Sequence, residues 1–75
     1  MLSHIEVFRT TVTRPADAAR LLRQLAARWP GHRITFDLQD CDRVLRVESF
    51  SCPVDNAHVS EVIRQLGHRC EPLPD

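Results

Sequence analysis

The segment ADAARLLRQLAARWPGHRITFDL, residues 16 to 38, changes its apolar period part way along. In its first part the apolar residues recur every three or four positions, as on one face of an amphipathic helix: Ala18, Leu21, Leu22, Leu25 and Trp29. Pro30 and Gly31 end this helix. From Arg33 onward apolar and polar residues alternate, which is the period of a strand. The segment therefore predicts a helix followed directly by a half-buried strand.

A strand precedes this helix and a hairpin follows it. Ile5 to Val12 is rich in β-branched and aromatic residues, and Pro15 suits the first turn of a helix. The alternating run at residues 33 to 39 and a second one at residues 44 to 48 predict a hairpin with a short polar turn.

The rest of the chain adds a second helix and a last strand. Asp55 is a good N-cap, and Gly67 suits the position after the helix. The apolar stripe between them is Val59, Val62, Ile63 and Leu66. Residues 68 to 72 complete the order β-α-β-β-α-β. Two helices with one apolar stripe each must cover one face of a sheet, and right-handed crossovers put both on the same side.

This order predicts an α+β, ferredoxin-like sandwich: a four-stranded antiparallel sheet in the order 4-1-3-2, with two helices on one face and the other face open. We expect residues 1 to 75 to form a single domain. In the first strand Ile5 and Val7 are out of phase with Phe8 and Val12, which predicts a bulge or a change of face near Phe8. The interior positions expected elsewhere are Leu22, Leu25, Phe36, Val47 and Ile63.

Composition narrows the classes of protein to consider. No stretch is long and apolar enough to span a membrane, and residues 1 to 14 do not resemble a signal peptide. Three cysteines do not make a disulfide framework, so we expect free thiols and a cytoplasmic location. The formal net charge is zero, with a basic first half and an acidic second half that are expected to neutralise each other.

The segment VTRPAD, residues 12 to 17, lies between the first strand and the first helix. With the order and length of the elements, it resembles the heavy-metal-associated domain of copper metallochaperones and transport ATPases. In that family a Met-Thr-Cys-x-x-Cys segment lies here, and its two thiolates hold a soft metal ion. The resemblance implies that Arg14 and Asp17 occupy the two thiolate positions, so the paired-cysteine motif is absent.

The resemblance extends over about seventy residues, including DLQDCDRVLRVES in the hairpin and LGHRCEPL near the end. It is to small bacterial proteins of this fold that also lack the paired cysteines. It implies a metallochaperone-like scaffold without the ion.

A different metal site is the alternative. The predicted topology brings the helix-1 loop, the hairpin turn and the start of the last strand to one end of the sheet. Cys41 and His68, with Asp40 and Asp42, would then share one rim and could hold copper or zinc. Against this, strand spacing separates the turn from the last strand, and Arg14 repels a cation. Cys70 is expected to be a small buried residue.

Other chemistries have weaker support in the sequence. His58 is expected to belong to the capping region of the second helix rather than to act as a general base. Two glycines, Gly31 and Gly67, cannot make a phosphate loop. RNA-binding domains of this fold stack bases on aromatic residues of the central strands. At the corresponding positions the third strand here carries Val44, Arg46 and Glu48, none of which is aromatic. We expect no catalysis, no nucleic-acid binding and no membrane association.

The expected function is therefore a non-catalytic interaction or regulatory module that binds a protein partner or itself through its loop end or open sheet face. The alternative is a metal-binding protein with an atypical site around Cys41 and His68. If the chain self-associates, the second strand is the expected edge, because Pro72 and Pro74 make the last strand a poor template for pairing.

Overall fold

The computed structural model describes residues 4 to 73. Its elements are β1 (His4–Thr10), α1 (Pro15–Arg28), β2 (Arg33–Asp37), β3 (Val44–Ser49), α2 (Asn56–Gln65) and β4 (Cys70–Pro72). The order of elements is the predicted one. β2 and β4 are each two residues shorter than expected, and β1 begins one residue earlier and ends two residues earlier than the expected Ile5 to Val12. Pro74 lies outside the described residues.

The four strands form one antiparallel sheet in the order β2-β3-β1-β4, which is the predicted order 4-1-3-2 read from the other edge. β2 and β4 are the edges, as expected. Buried residues of both helices join buried residues of β1 and β3 in one apolar cluster. The chain is therefore an α+β sandwich of the ferredoxin-like type, and the face of the sheet opposite the helices is uncovered.

Residues of β1, β3, both helices and the segment between β1 and α1 fill the core: Phe8, Val12, Ala18, Leu21, Leu25, Leu45, Val47, Val59, Val62 and Ile63. Three of the five interior positions expected from the sequence belong to it, namely Leu25, Val47 and Ile63. Leu22 and Phe36 are only half-buried. Phe36 lies on an edge strand, where it packs against the core on one side and has no strand beyond it on the other.

The prediction of a bulge or change of face near Phe8 is wrong. β1 pairs with β3 without interruption from His4 to Phe8, and with β4 from Phe8 to Thr10. Phe8 and Thr10 face the helices, and both are buried. Ile5 and Val7 lie on the open face, where Ile5 is 47% exposed. The sequence pattern is ambiguous because this strand carries apolar residues on both of its faces.

The helix ends follow the sequence signals. Pro15 opens α1, whose N-cap Arg14 makes no side-chain capping bond. Asp55 caps α2 by accepting a hydrogen bond of 3.1 Å from the backbone N–H of His58, and Gly67 follows α2 with a φ of +89°. Within residues 4 to 73 no helix is long and apolar enough to cross a membrane.

Candidate functional site

Arg14 and Asp17, at the positions that the resemblance equates with metal-binding thiolates, lie at the start of α1. The side chain of Arg14 is exposed, and that of Asp17 is half-buried in the first turn of the helix. A carboxylate here favours the helix through the dipole at its N-terminus. A guanidinium is a permanent cation without a lone pair for a metal, so this loop offers no site for a soft ion.

The end of β1 holds together the three segments that the sequence predicts at one end of the sheet. The Thr10 N–H donates to the carbonyl of Asp42 at 3.1 Å, and the Thr10 hydroxyl donates to the carbonyl of Arg43 at 2.6 Å. The Thr11 N–H donates to the carbonyl of Arg69 at 3.0 Å. The hairpin turn and the approach to β4 are thus both hydrogen-bonded to the strand that leads into α1.

Asp40, Cys41 and Asp42 place one potential metal ligand each within 4.8 Å of one another. These three residues belong to the turn between β2 and β3. One carboxylate oxygen takes part in the turn itself, because Oδ1 of Asp40 accepts a hydrogen bond of 2.8 Å from the Asp42 N–H. Nε of Arg9 lies 3.3 Å from the Asp42 carboxylate. In the part of the chain that the structure describes, His68 does not join this group of ligands.

The other two cysteines have different surroundings. Cys52 is exposed, and its sulfur lies 3.6 Å from the hydroxyl of Ser49. Cys70 is half-buried, and its thiol donates to the hydroxyl of Ser60 at 3.4 Å. Burial raises the pKa of the Cys70 thiol, and nearby Glu71 adds to the effect while the hydrogen bond with Ser60 opposes it. This thiol is therefore held in its neutral, poorly nucleophilic form.

An aromatic contact that sequence reasoning missed joins the two helices. The ring of His58 packs edge-on against Trp29, with centroids 5.0 Å apart, and His32 lies 6.2 Å from the same indole. Trp29 caps the end of α1 while His58 lies in the first turn of α2, so no local pattern links them. This geometry indicates that the His58 ring packs against the Trp29 indole.

An open groove of about 570 Å³ lies between α2 and β4. Its lining residues are Ala57, Ser60, Glu61, Arg64, Arg69 and Cys70. One of its two guanidinium groups, that of Arg64, is paired with Glu61. Cys70 is the thiol in this groove, and burial raises its pKa.

The open face of the sheet carries the exposed apolar residues. Ile5 is 47% and Phe50 is 43% exposed, and the carbon at the centre of the Arg33 guanidinium lies 6.0 Å from the Phe50 ring. Glu48 of β3 lies opposite Ile5 on one side and Arg33 on the other. Ile5 and Phe50 therefore belong to the same end of this face. The sequence signal for Ile5 is that this apolar residue is out of phase with Phe8 in β1.

The opposite end of the open face is polar. Arg9 of β1 faces Glu71 of β4 in the sheet, and Nη1 of Arg9 lies 3.4 Å from Oε1 of Glu71. The same guanidinium approaches Asp42 of the hairpin turn. These ion pairs are exposed and contribute little to stability, about 0 to 1 kcal/mol each. The face thus combines an apolar end and a charged end.

Comparison of the chain with protein-family models, with curated proteins and with solved structures gives no significant match.

Proposed function

We propose that this chain is a non-catalytic interaction module that binds a protein partner through the open face of its sheet. The observation that carries the proposal is the position of Ile5 and Phe50. They are large apolar side chains, each more than two fifths exposed, and both lie at one end of the face that the helices leave uncovered. Apolar side chains gathered on an exposed face are typical of surfaces that bind proteins.

The arrangement of the polar residues also favours binding over catalysis. At the charged end of the open face, the guanidinium of Arg9 lies between the carboxylates of Glu71 and Asp42 and pairs with both. His58 packs on Trp29, and the thiol of Cys70 is neutral. The three free cysteines of this chain suit a reducing compartment such as the cytoplasm. A metallochaperone-like scaffold that uses its sheet for a partner accounts for these features together.

A photo-crosslinking amino acid at Phe50 tests this proposal in cells. We expect one discrete adduct from Phe50, because its ring is exposed on the proposed surface. The matched control places the same amino acid at Arg23, which is exposed on α1. A discrete adduct from Phe50 that is lost when Ile5 is also changed to Ser supports the proposal. Equal labelling from Phe50 and Arg23, or none from either, contradicts it.

Binding of copper or zinc near Cys41 is the second candidate function. It is favoured by the three potential ligands of Asp40, Cys41 and Asp42 within 4.8 Å. Native mass spectrometry after anaerobic incubation with Cu(I) and Zn(II), in competition with a weak chelator, separates the two candidates. Retention of one ion per chain that is lost in Cys41→Ser supports the metal site, and loss in His68→Ala as well would add His68 to its ligands. Absence of a retained ion supports the interaction module.

A further inference from the structure

Hydrogen bonds next to β1 reveal which backbone groups point outward at the edges of the sheet. In an antiparallel sheet, alternate residues of a strand direct their N–H and C=O to one neighbouring strand, and the residues between them serve the other neighbour. The Leu73 N–H donates to the carbonyl of Val7 at 2.8 Å, and the Thr11 N–H donates to that of Arg69 at 3.0 Å. The odd-numbered residues of β1 therefore bond to the β4 side, and its even-numbered residues bond to β3.

The register carries this alternation across the sheet to β2. Even-numbered residues of β1 lie opposite odd-numbered residues of β3, so these two sets bond to each other. The even-numbered residues of β3 therefore direct their backbone groups to the other neighbour, β2. Arg46 of β3 lies opposite Thr35, which therefore directs its backbone groups toward β3. Ile34 and Phe36 direct theirs away from the sheet, along its free edge.

The other edge of the sheet is blocked by proline. Glu71 lies opposite Arg9 and bonds to β1, so Cys70 and Pro72 face outward from β4. Proline has no N–H to donate, which leaves Cys70 as the outward donor of this three-residue strand. β2 has five residues and no proline. An unblocked edge is a template for another strand.

The sequence of β2, RITFD, is complementary to itself when two copies run antiparallel. With Thr35 on a two-fold axis, Arg33 of each copy lies opposite Asp37 of the other. Ile34 of each copy lies opposite Phe36 of the other, on the helix side of the sheet. Opposite charges and apolar pairs in such positions are favourable. Ile34 and Phe36 are only half-buried in the single chain, so this pairing covers apolar surface that is now exposed.

Other registers are less favourable. Because outward-facing residues must meet outward-facing residues, the axis can move only by one residue at a time, to Ile34 or to Phe36. An axis at Ile34 puts Arg33 opposite Thr35, and an axis at Phe36 puts Asp37 opposite Thr35. In each case the charge pairs are lost and fewer strand residues are paired.

We infer that the chain self-associates through β2, with a second copy of this chain as the partner. The outward backbone groups of Ile34 and Phe36 form two hydrogen-bonded pairs across the axis, and the two sheets become one. The inference goes beyond the proposed function, because it uses the edge of the sheet rather than its open face. It leaves Ile5 and Phe50 uncovered on each copy.

Charge reversal at β2 provides the test, with sedimentation equilibrium of the full chain over a concentration series. Arg33→Asp gives a strand with two acids, and Asp37→Arg gives a strand with two arginines. Each should weaken dimerisation by roughly tenfold or more, since both symmetric pairs become repulsive. The double variant Arg33→Asp/Asp37→Arg restores complementarity and should dimerise like the wild type. An equimolar mixture of the two single variants should form a heterodimer.

A second pair of variants keeps the test independent of the charges. Ile34→Pro removes an outward N–H, while Ile34→Ala keeps it and loses a similar amount of side-chain packing. Only the proline variant should lose dimerisation, and thermal unfolding establishes that both fold. The inference is overturned by a wild type that stays monomeric up to about 1 mM, or by a double charge variant no better than the single ones. Either outcome leaves the Phe50 crosslinking result, and with it the proposed function, unaffected.

Discussion

Thr11 and Arg69 exchange two hydrogen bonds across the gap between β1 and β4. The Thr11 N–H donates to the carbonyl of Arg69, and the Arg69 N–H donates to the hydroxyl oxygen of Thr11, both at 3.0 Å. Thr11 directly follows β1 and Arg69 directly precedes the three-residue strand β4, so the two bonds hold the start of β4 to the sheet. The second of these bonds depends on a side chain, so it can be removed by substitution.

Thr11→Val should therefore loosen β4. The change keeps the shape of the side chain and removes the acceptor, at a cost of about 0.5 to 1.5 kcal/mol. Urea denaturation measures the loss, and amide exchange should accelerate at Arg69 and Glu71, whose N–H groups bond to the β1 side. Thr11→Ser retains the hydroxyl and is the control. If Val and Ser variants show the same stability and the same exchange, the side-chain bond does not hold β4.

Truncation of the two sheet phenylalanines should have unequal effects. Phe8 is fully buried between the sheet and the helices, so Phe8→Ala should cost roughly 3 to 5 kcal/mol. Phe36 is half-buried on the edge strand, so Phe36→Ala should cost about half as much. Equilibrium unfolding at low protein concentration, where the chain is monomeric, gives both values. A larger loss at Phe36 than at Phe8 would contradict the observed phase of the strands.

The elements themselves were predictable because their signals are local. Pro15 opens α1, Asp55 caps α2 and Gly67 ends it, and each acts on the few residues beside it. The sheet order then follows from general rules of connection. The phase of β1 was not predictable in the same way. Ile5 and Phe8 are both large and apolar, and only the pairing with β3 decides which of them faces the helices.

The candidate surfaces depend on register, which sequence patterns define weakly. Phe50 approaches Arg33, and Trp29 approaches His58, because separate elements are packed together. The expected gathering of segments at the end of β1 is confirmed by the hydrogen bonds of Thr10 with the hairpin turn and of Thr11 with Arg69. The group of metal ligands could be predicted only in part, because topology brings strand ends together without defining where a side chain such as His68 points.

The two glycines should respond differently to alanine. Gly67 has a φ of +89°, which an L side chain adopts only with strain, so Gly67→Ala should destabilise the protein by about 1 kcal/mol. Gly31 lacks a positive φ of this kind, and no atom lies within 4 Å of an added Cβ. Gly31→Ala should be neutral or stabilising, by up to about 1 kcal/mol, because it restricts the unfolded chain. Thermal unfolding of the pair checks both; equal effects would mean that the backbone at Gly67 is not strained.

The three cysteines should differ in reactivity with pH. Burial, the main cause, raises the pKa of Cys70, whereas Cys41 and Cys52 are exposed. The thiolate is the reactive form, so Cys70 should alkylate last, and its rate should rise only at a higher pH than that of an ordinary thiol. Mass spectrometry after timed iodoacetamide treatment resolves the sites. Ser60→Ala, which removes the hydrogen bond opposing the shift, should move the Cys70 profile further toward high pH; alkylation of Cys70 as fast as Cys41 would contradict the burial.

The start of α1 offers a direct test of the resemblance to heavy-metal-associated domains. Arg14 is the N-cap of α1, and Asp17 lies in its first turn. Thiolates at a helix N-terminus are stabilised by its backbone dipoles, and two of them suit Cu(I). If these are the family's two ligand positions, Arg14→Cys/Asp17→Cys should create Cu(I) binding that the wild type lacks.

Competition with a Cu(I) chelator, followed by native mass spectrometry under anaerobic conditions, measures this binding. The control is Arg14→Ser/Asp17→Ser, which removes the same charges and adds no thiol. Because Cys41, Cys52 and Cys70 are present in every variant, any background binding is shared and cancels in the comparison. A folded double-cysteine variant that competes no better than the serine control would mean that Arg14 and Asp17 do not correspond to the metal ligands of that family. The likeness would then be limited to the order of strands and helices.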